Sequence, residues 1–571
     1  MTKPIYILGA GLSHDGSSCL LKDGKIVVAI EKERITKIKH DGWNDDLTIK
    51  YCLDAEGISF KDISLVVEEN TLNPKLRPGD IIERGERIIP NDIPRVCISH
   101  HLAHAYSTIG CAPFDQMAVM VIDGQGSSLD TCIDIKSNLV LPKEFRNIKP
   151  EEKYLFWEKM SYYHYQDGVL QTVFKDLSEW HKVDKNILSY NSMEHSLGEF
   201  YDSISYYVFN EDFCAGKLMG LAPFGRPNIF NFEAFEYHDN RVFIKTDWIN
   251  NFDPYLGSKY QCFTEYFQYY ADIAYWTQRQ LEKALIYIFN ACYNRLPHEN
   301  IGYAGGVALN AVANAYLLKN TKYNNFYFQP AAGDNGLAIG CCYYGWLEVL
   351  KKEKIKHNSS TYFGKIYPEK DIEACLKENS DKIQYHKSVN YISDAAILLN
   401  EGKVISWYQD SSEFGPRALG NRSILADPRR KDIKNFINRK IKSREDFRPF
   451  APSVLLEDSA IYFECNYESP YMILVAQTKE EWKNNIPGVV HKDGSARIQT
   501  VNKDLNPKYY QLISEFKKLS GLSILLNTSF NGRSMPIVET VSDAVDFLIK
   551  TKNLDALVVQ DYIITRKIQA T

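Results

Sequence analysis

Two histidines and two aspartates in this chain have the types and spacing of metal ligands. His100 and His104 lie four residues apart on a segment without proline, so a helix would place both imidazoles on one face, with His101 about a quarter-turn away and out of reach of the same ion. Asp123 closes an apolar run, and Asp334 lies in a turn that contains glycine and proline. Two nitrogens and two carboxylate oxygens suit iron, manganese or zinc. The alternative is two ordinary histidines on a helix surface.

A second chemistry is concentrated in the C-terminal part of the chain, where basic residues gather around a broken loop. Arg417 and Arg422 lie in the segment 413–429, whose glycines and prolines let backbone N–H groups approach a ligand. Guanidinium groups offer paired donors that fit phosphate or carboxylate. Further basic and polar candidates for this site are Lys442, Arg444, Arg448, Arg497, Asn527, Ser529 and Asn531. This much positive charge predicts a polyanionic ligand, with a solvated surface loop as the alternative.

A glycine turn near residue 305 is the candidate for contact with a nucleotide. Gly305 and Gly306 end a short apolar run and precede a predicted helix that Asn310 begins. A backbone without Cβ atoms at such a turn lets an adenosine or a phosphate lie against it. Asn335 and Gly336 follow Asp334 downstream and complete the predicted nucleotide site.

His14 is the candidate for proton transfer outside the metal ligands. It follows the first predicted strand, with Asp15 beside it. Its ordinary pKa near neutrality suits removal of a proton from a hydroxyl group. A histidine that only hydrogen-bonds within a turn is the alternative. Lys39 lies on the following segment and is predicted to help position the substrate or negative charge.

The runs at residues 414–423 (FGPRALGNRS) and 447–453 (FRPFAPS) resemble the signature of O-carbamoyltransferases that modify nodulation factors, cephalosporins, ansamycins and aminoglycosides. The resemblance spans nearly the whole chain. It implies a C-terminal domain of the YrdC-like fold, in which the Lys442-x-Arg444 and Ser529-x-Asn531 pairs hold phosphates. That domain is then expected to bind ATP and carbamoyl phosphate and to form carbamoyl adenylate, with Arg448 as a catalytic residue.

The same resemblance implies the chemistry of the N-terminal part. The family places a metal, favoured to be Fe(II), at the positions of His100, His104, Asp123 and Asp334. It also aligns the turn around His14 with the N-terminal loop of the family, which supports a catalytic role in transfer to the hydroxyl of a small molecule. The expected products are an O-carbamoylated metabolite of natural-product type and AMP.

The order of apolar runs predicts an α/β chain with a repeated N-terminal architecture. A strand, a polar turn and a hairpin at residues 5–31 recur at residues 117–135, where Leu129–Ile135 is predicted to be the returning strand. The spacing by itself supports only this pair of openings, and the family resemblance implies that they form a duplicated actin-like ATPase domain of the ASKHA superfamily. The polar segment 351–360 is predicted to end it. The domains expected are therefore 1–355, for metal and nucleotide binding and transfer, and 356–571, for carbamoyl activation.

Composition sets broader limits. The chain has 571 residues, a formal net charge of −5 and twelve cysteines without a Cys-x-x-Cys pair. We therefore expect a cytoplasmic enzyme with reduced cysteines, no membrane span and no nucleic-acid partner, and a homodimer remains open. Three alternatives also stay open: a tRNA threonylcarbamoyl-type enzyme, a small-molecule kinase of the actin-like superfamily, and a nucleotide-gated binding protein.

Overall fold

The computed structural model describes residues 3–42, 46–69, 81–82, 85–179, 196–245, 251–252 and 260–567. The chain forms two compact units. The N-terminal unit contains Met1–Ala29 and Gly42–Ser359, and the C-terminal unit contains Ile30–Asp41 and Ser360–Thr571. Residues 30–41 thus belong to the C-terminal unit, whereas the sequence prediction placed them in the N-terminal domain.

The first half of the N-terminal unit is built on a five-stranded mixed sheet. The strands of this half are β1 (Tyr6–Gly11), β2 (Ser17–Lys22), β3 (Lys25–Glu31), β4 (Ile63–Glu69), the short β5 (Ile81–Ile82) and β6 (Gly85–Glu86), and β7 (Arg95–Ile98). The sheet order is β3-β2-β1-β4-β7, and β5 and β6 form a separate hairpin. β1 pairs antiparallel with β2 and parallel with β4, which in turn is parallel to β7.

The second half repeats this arrangement. Its strands are β8 (Met117–Ile122), β9 (Phe156–Gln166), β10 (Val169–Glu179), the hairpin β11 (Phe235–His238) and β12 (Arg241–Ile244), β13 (Asn300–Ala304) and β14 (Asn325–Phe328). The sheet order is β10-β9-β8-β13-β14, with β8 antiparallel to β9 and parallel to β13. The two sheets therefore share one strand order and the same alternation of directions. This duplication confirms the predicted actin-like fold.

One predicted strand of the second half is wrong. Residues 129–135 form turns instead of the returning strand, and β9, which begins at Phe156, takes that place beside β8. The apolar residues of the segment serve a small local core instead. Leu129 is buried there with Leu141 and Leu177, and Ile135 packs against them.

Helices cover the two sheets of the N-terminal unit. They are α2 (Asp46–Glu56), α3 (His100–Cys111), α4 (Leu197–Phe209), α5 (Ala215–Leu221), α6 (Tyr260–Glu265), α7 (Phe267–Arg295), α8 (Ala311–Asn320) and α9 (Leu337–Tyr344); α1 (Lys32–Thr36) belongs to the C-terminal unit. Every residue of α3 is buried. A Cβ atom at Gly340 of α9 would lie 1.8 Å from Ala103 O, so this glycine allows α3 and α9 to pack in close contact.

The C-terminal unit surrounds a ten-stranded mixed sheet. Its strands are β15 (Ile383–Lys387), β16 (Ile405–Tyr408), β17 (Arg422–Ala426), β18 (Ala451–Leu455), β19 (Phe463–Glu464), β20 (Leu474–Thr478), β21 (Ser495–Val501), β22 (Ile524–Ser529), β23 (Ala556–Val559) and β24 (Tyr562–Arg566). The order is β15-β24-β23-β16-β17-β22-β18-β21-β20-β19. Its longer helices are α10 (Glu369–Glu378), α11 (Tyr391–Asn400), α15 (Pro507–Ser520) and α16 (Val541–Lys550), and its shorter ones are α12 (Ile433–Ile437), α13 (Ser459–Tyr462) and α14 (Glu480–Lys483). Strands and helices together form one large apolar core.

Short irregular helices complete the described chain. The 3₁₀ helices are Phe60–Asp62, Asn138–Val140, Lys143–Phe145, Pro150–Leu155, Ala222–Phe224, Gly306–Leu309, Asp334–Gly336 and Leu456–Asp458, and the π-helical turns are Gly345–Val349 and Asn438–Lys442. Among the described helices, none combines the length and the apolar character needed to cross a lipid bilayer.

Candidate functional site

The four predicted metal ligands meet in the N-terminal unit. Nε2 of His100 and Nε2 of His104 each lie 3.1 Å from Oδ2 of Asp123, and the two Nε2 atoms are 3.2 Å apart. Oδ1 of Asp334 lies 3.3 Å from the first of these nitrogens and 3.7 Å from the second. One ligand atom from each of the four residues lies within 4.8 Å of the other three, and all four residues are buried. Burial of α3 excludes the alternative of two surface histidines.

Local structure explains why these side chains converge. His100 and His104 lie one turn apart on α3, Asp123 directly follows β8, and Asp334 begins a 3₁₀ helix before α9. Backbone N–H groups of Gly124 and Gly306 donate to Oδ1 of Asp123, at 2.8 and 3.0 Å. That pairing fixes the carboxylate, so its other oxygen, Oδ2, faces the histidines.

The charges and protons of this group fit a bound cation. Burial alone would lower the pKa of His100, but Asp334 and Glu69 outweigh it and raise the pKa well above its usual range. Burial would likewise raise the pKa of Asp123, but the hydrogen bonds with His100 and His104 lower it. Without positive charge, unprotonated ring nitrogens would face carboxylate oxygens at about hydrogen-bond distance and repel them. A metal ion can replace the protons here, because neutral imidazole and carboxylate are its preferred ligands.

Glu69 is a functional residue that the sequence analysis missed. It ends β4, is fully buried, and its Oε1 lies 3.0 Å from Nδ1 of His100. Such a contact fixes the tautomer of a metal-binding histidine and directs its other nitrogen to the ion. The repeated topology could have indicated Glu69. The strand β4 has the same position in the first sheet as β13 has in the second, and the carboxyl end of β13 leads to Gly305 and Gly306.

His14 lies beside the four-residue cluster. Its Nδ1 is 3.1 Å from Oδ2 of Asp334, and its side chain remains 44% exposed, so a substrate can reach it. The ring stacks on Phe213, with centroids 5.4 Å apart. Burial would lower the pKa of His14, but Asp334 and then Asp15 outweigh this effect and raise it to about 10. In this arrangement His14 donates a hydrogen bond to Asp334.

The predicted nucleotide turn has clear packing reasons for its glycines. Gly305 has a φ of +94°, and a Cβ atom there would lie 2.2 Å from Ile122 O. A Cβ atom at Gly336 would lie 2.0 Å from Ala331 O. Asn310 accepts a hydrogen bond from Ala313 N as the N-cap of α8, and its side chain exchanges two hydrogen bonds with Gln278. Asn335 lies next to Asp334 in the 3₁₀ helix. These contacts explain the conformation of the turns, and nucleotide binding there stays a prediction.

The N-terminal unit contains a second group of side chains that could hold a metal ion. Cys132, Asp134 and Glu158 come close enough to share an ion, but the buried ammonium of Lys175 occupies that place. It lies 2.8 Å from Oδ2 of Asp134 and also pairs with Glu158. Oε2 of Glu158 accepts from the backbone N–H groups of Ser127 and His101, and it thus supports the start of α3.

The predicted anion site lies in the C-terminal unit and is a cluster of mutually repelling cations. Burial and then the charge of Arg448 lower the pKa of Arg417 to about 10 and that of Arg444 to about 9. The pKa of Arg497 falls well below its usual range, because of burial and the other three guanidinium groups. The buried Nε atoms of Arg417 and Arg497 have no hydrogen-bond partner among the described residues. Partly buried cations that repel one another in this way fit a polyanion.

Lys442 connects this cluster to the Ser529-x-Asn531 turn. Its ammonium lies 3.2 Å from Oγ of Ser529 and 2.6 Å from Oδ1 of Asn531. The π-helical turn Asn438–Lys442 places Lys442 there. Burial, then Arg444, Arg448 and Lys39, lower its pKa well below the usual range.

Sequence comparison identifies the family. The family described as Carbamoyltransferase N-terminus matches residues 6–78 and 80–343, and the one described as Carbamoyltransferase C-terminus matches residues 396–566. The chain belongs to the carbamoyltransferase family. It is therefore an enzyme, and the two matches correspond to the parts of the chain that carry the His/Asp cluster and the cation cluster.

Two relatives are similar to this chain over nearly its whole length. The nodulation protein NolNO of Sinorhizobium fredii is 32% identical over 97% of this chain and 79% of its own length. An uncharacterised protein of Synechocystis is 32% identical over 99% of this chain and 97% of its own length. Among solved structures, HypF of T. kodakarensis is 14% identical over 61% of this chain and 49% of that protein, with a TM-score of 0.37.

Within this carbamoyltransferase, two residues of the predicted anion site also make contacts that support the fold. Arg422 is fully buried and donates to the carbonyl oxygens of Gln409 and Asp410, while its guanidinium lies 3.5 Å from the ring centroid of Tyr408. Its two Nη groups are thus used by the backbone, whereas its buried Nε has no hydrogen-bond partner among the described residues, and its part in the clamp stays a prediction. Asn527 is also buried, and its amide donates to Ser453 and Gln499.

The two remaining catalytic candidates both lie in the C-terminal unit. Lys39 is exposed at the end of the segment 30–41, where its charge acts on Lys442. Arg448 is half-buried and acts electrostatically on the four other cations of the cluster.

Proposed function

We propose that this carbamoyltransferase transfers the carbamoyl group of carbamoyl phosphate to a hydroxyl of a small molecule, in an ATP-dependent reaction through carbamoyl adenylate. The observation that carries the proposal is the cation cluster of Arg417, Lys442, Arg444, Arg448 and Arg497. Five cations that lower each other's affinity for protons need several negative charges nearby. ATP together with carbamoyl phosphate supplies them.

Activation is assigned to the C-terminal domain, residues 356–571. Hydrolysis of carbamoyl phosphate gives carbamate and phosphate. A carbamate oxygen then attacks the α-phosphorus of ATP, the bond to the β-phosphate oxygen breaks, and pyrophosphate leaves. Fixed guanidinium groups stabilise the charge that develops on the phosphates, while Ser529 and Asn531 keep Lys442 in position for the same purpose.

Transfer is assigned to the N-terminal domain, residues 1–355. The acceptor hydroxyl attacks the carbonyl carbon of the adenylate, AMP leaves, and the hydroxyl proton must move to a base or to solvent. His14 is the group proposed to accept it, since its side chain is accessible and Nδ1 is held by Asp334. It does so in its neutral form, which a cation bound to Asp334 favours by cancelling the negative charge that raises the pKa of His14. The turns at Gly305 and Asn335 are the proposed contact for the adenosine part.

The metal site is assigned to His100, His104, Asp123 and Asp334, and Fe(II) is the proposed ion. Imidazole and carboxylate together suit iron, although manganese and zinc accept the same ligands. A metal bound there would act as a Lewis acid toward a carbonyl or phosphate oxygen. The residues themselves position that ion, and Glu69 orients His100.

The decisive experiment measures the fate of ATP. Full-length enzyme is incubated with ATP and radiolabelled pyrophosphate, with and without carbamoyl phosphate. Exchange of the label into ATP that depends on carbamoyl phosphate is the expected result, because adenylate formation is reversible. Formation of ADP without such exchange would instead assign the chain to the kinases. A subsequent search for metabolites whose mass increases by one carbamoyl group would identify the acceptor.

A further inference from the structure

We infer that residues 30–41, here called the N-terminal strap, hold the arginine loop of the activation site in its working conformation, with Glu31 and Arg34 as positioning residues. The inference rests on the proposed function only in naming that site as the place of carbamoyl activation. The strap precedes the loop by almost four hundred residues, and yet it belongs to the C-terminal unit.

The strap contacts the loop at Gly415. The backbone N–H of Gly415 donates to Oε1 of Glu31 at 2.5 Å, and its carbonyl oxygen accepts from Nη2 of Arg34 at 2.7 Å. The two strap side chains also pair with each other, since Nε of Arg34 lies 2.8 Å from Oε2 of Glu31. Both are buried. Together they satisfy both the donor and the acceptor of Gly415, as a neighbouring strand would.

The arginine loop needs this support for two reasons. Gly415 has a φ of +115°, a conformation open mainly to glycine, so the residue has many alternatives if it is released. Two residues later comes Arg417, which lies among cations that repel it. The far end of the loop is held by Glu413, whose Oε1 accepts from the backbone N–H groups of Leu419 and Asn421. The strap is the matching restraint at the near end.

The strap also contributes charge to the site. Lys39 is near enough to Lys442 to lower its pKa. Two further ion pairs fix the strap itself: Lys32 lies 3.2 Å from Asp41, and Lys37 pairs with Asp543 of α16. The segment that carries Glu31 and Arg34 is therefore anchored independently of the loop.

The test compares three full-length variants by calorimetric titration with inorganic pyrophosphate and with ATP. In Glu31→Gln/Arg34→Met the charged pair and the contact with Gly415 O are removed together, which avoids leaving one buried charge alone. Arg34→Lys keeps a positive group beside Glu31. Lys387→Met is the control, because it breaks an exposed ion pair with Glu369 in the same unit that involves no residue of the strap or of the loop.

We expect the double variant to bind both probes at least ten-fold more weakly, Arg34→Lys to recover part of the loss, and Lys387→Met to bind like wild type. The Gly415 amide should exchange its hydrogen faster in the double variant than in Lys387→Met, when each protein is measured the same number of degrees below its own melting temperature. Unchanged affinity with unchanged exchange would overturn the positioning role. Failure of the wild type itself to bind either probe would contradict the proposed function instead, so the two failures are distinguishable.

Discussion

Nδ1 of His100 lies 3.0 Å from Oε1 of the buried Glu69, and the other ring nitrogen, Nε2, therefore faces Asp123 and Asp334. A carboxylate at one nitrogen of an imidazole makes the other nitrogen a better and better-oriented metal ligand. The arrangement links a residue at the end of β4 to a site whose ligands come from α3, β8 and the turn before α9.

Changing Glu69→Gln is predicted to weaken metal binding about 10–100-fold, the usual effect of losing such a partner. The amide keeps the shape of the side chain but removes its negative charge. Anaerobic titration of the metal-free protein with Fe(II), or with Co(II) as a spectroscopic substitute, measures the change. Glu68→Gln is the control, since Glu68 pairs with Arg87 and Arg95 instead. Equal metal affinity in the two variants would show that Glu69 does not support metal binding.

Changing His104→Ala is predicted to abolish metal binding, because it removes one of the two imidazoles on the same face of α3. His101→Asn serves as the neighbouring control. Nδ1 of His101 lies 2.8 Å from Oγ of Ser161, and burial lowers the pKa of His101 to about 3, so it stays neutral and apart from the cluster. The metal content of both purified variants is the measurement that tests this prediction. Full occupancy in His104→Ala would refute the ligand assignment.

Spacing and residue type indicate the His/Asp cluster, whereas the Lys442-x-Arg444 and Ser529-x-Asn531 pairs are implied only by the family resemblance. An i, i+4 pair on a helix and acids after apolar runs have few other structural solutions. Arg422 could not be separated from Arg417 in this way, because its guanidinium is used by backbone carbonyl oxygens that only the folded loop brings near. For the same reason Glu31 and Arg34 gave no signal, since their partner Gly415 is remote in sequence.

Strand prediction failed where apolar residues serve a local core. Leu129 and Ile135 alternate with polar residues as a strand would, and yet they pack with Leu141 and Phe145 in a small cluster. A strand and this irregular segment both show apolar residues at every second position, so the pattern alone does not distinguish them. Only the long connection to β9 and the pairing of β9 with β8 decide between them.

Changing Arg448→Met is predicted to abolish adenylate formation and, at the same time, to stabilise the ligand-free protein. Arg448 is half-buried among Arg417, Arg444, Arg497 and Lys442, so its removal relieves repulsion. Partial exposure screens the gain to roughly 1 kcal/mol, or about 2–4 °C in melting temperature for a unit of this size. Pyrophosphate exchange and thermal unfolding measure the two effects. Loss of activity together with lower stability would instead indicate a structural role.

That stabilisation should shrink at alkaline pH. Arg444 and Arg417 have pKa values lowered in the folded protein to about 9 and about 10, below the ordinary 12.5, so the unfolded chain binds more protons between these values. The free energy of unfolding of the wild type therefore increases as the pH rises from 9 toward 12.5, because the two groups lose their protons first in the folded protein. Below pH 9 both groups are charged in the folded protein and lower its free energy of unfolding by the full amount. Urea unfolding of wild type and Arg448→Met at pH 7.5 and 9.5 should give a smaller difference at the higher pH. Arg439→Met, which alters an exposed pair with Asp446, should give a difference that does not change.

His14→Asn is predicted to slow transfer by about 10²–10⁴-fold, the usual contribution of a side chain that moves a proton, while metal content and adenylate formation persist. Asparagine stays polar and can still bond to Asp334, and the position is 44% exposed, so the fold should tolerate the change. The variant should therefore form the adenylate and release it to hydrolysis. Phe213→Leu is the companion variant, because it removes the stacked ring without changing any proton donor or acceptor. Single-turnover transfer from supplied carbamoyl adenylate measures the step directly. If His14→Asn transfers as fast as wild type, His14 only supports Asp334, and solvent or the acceptor itself takes the proton.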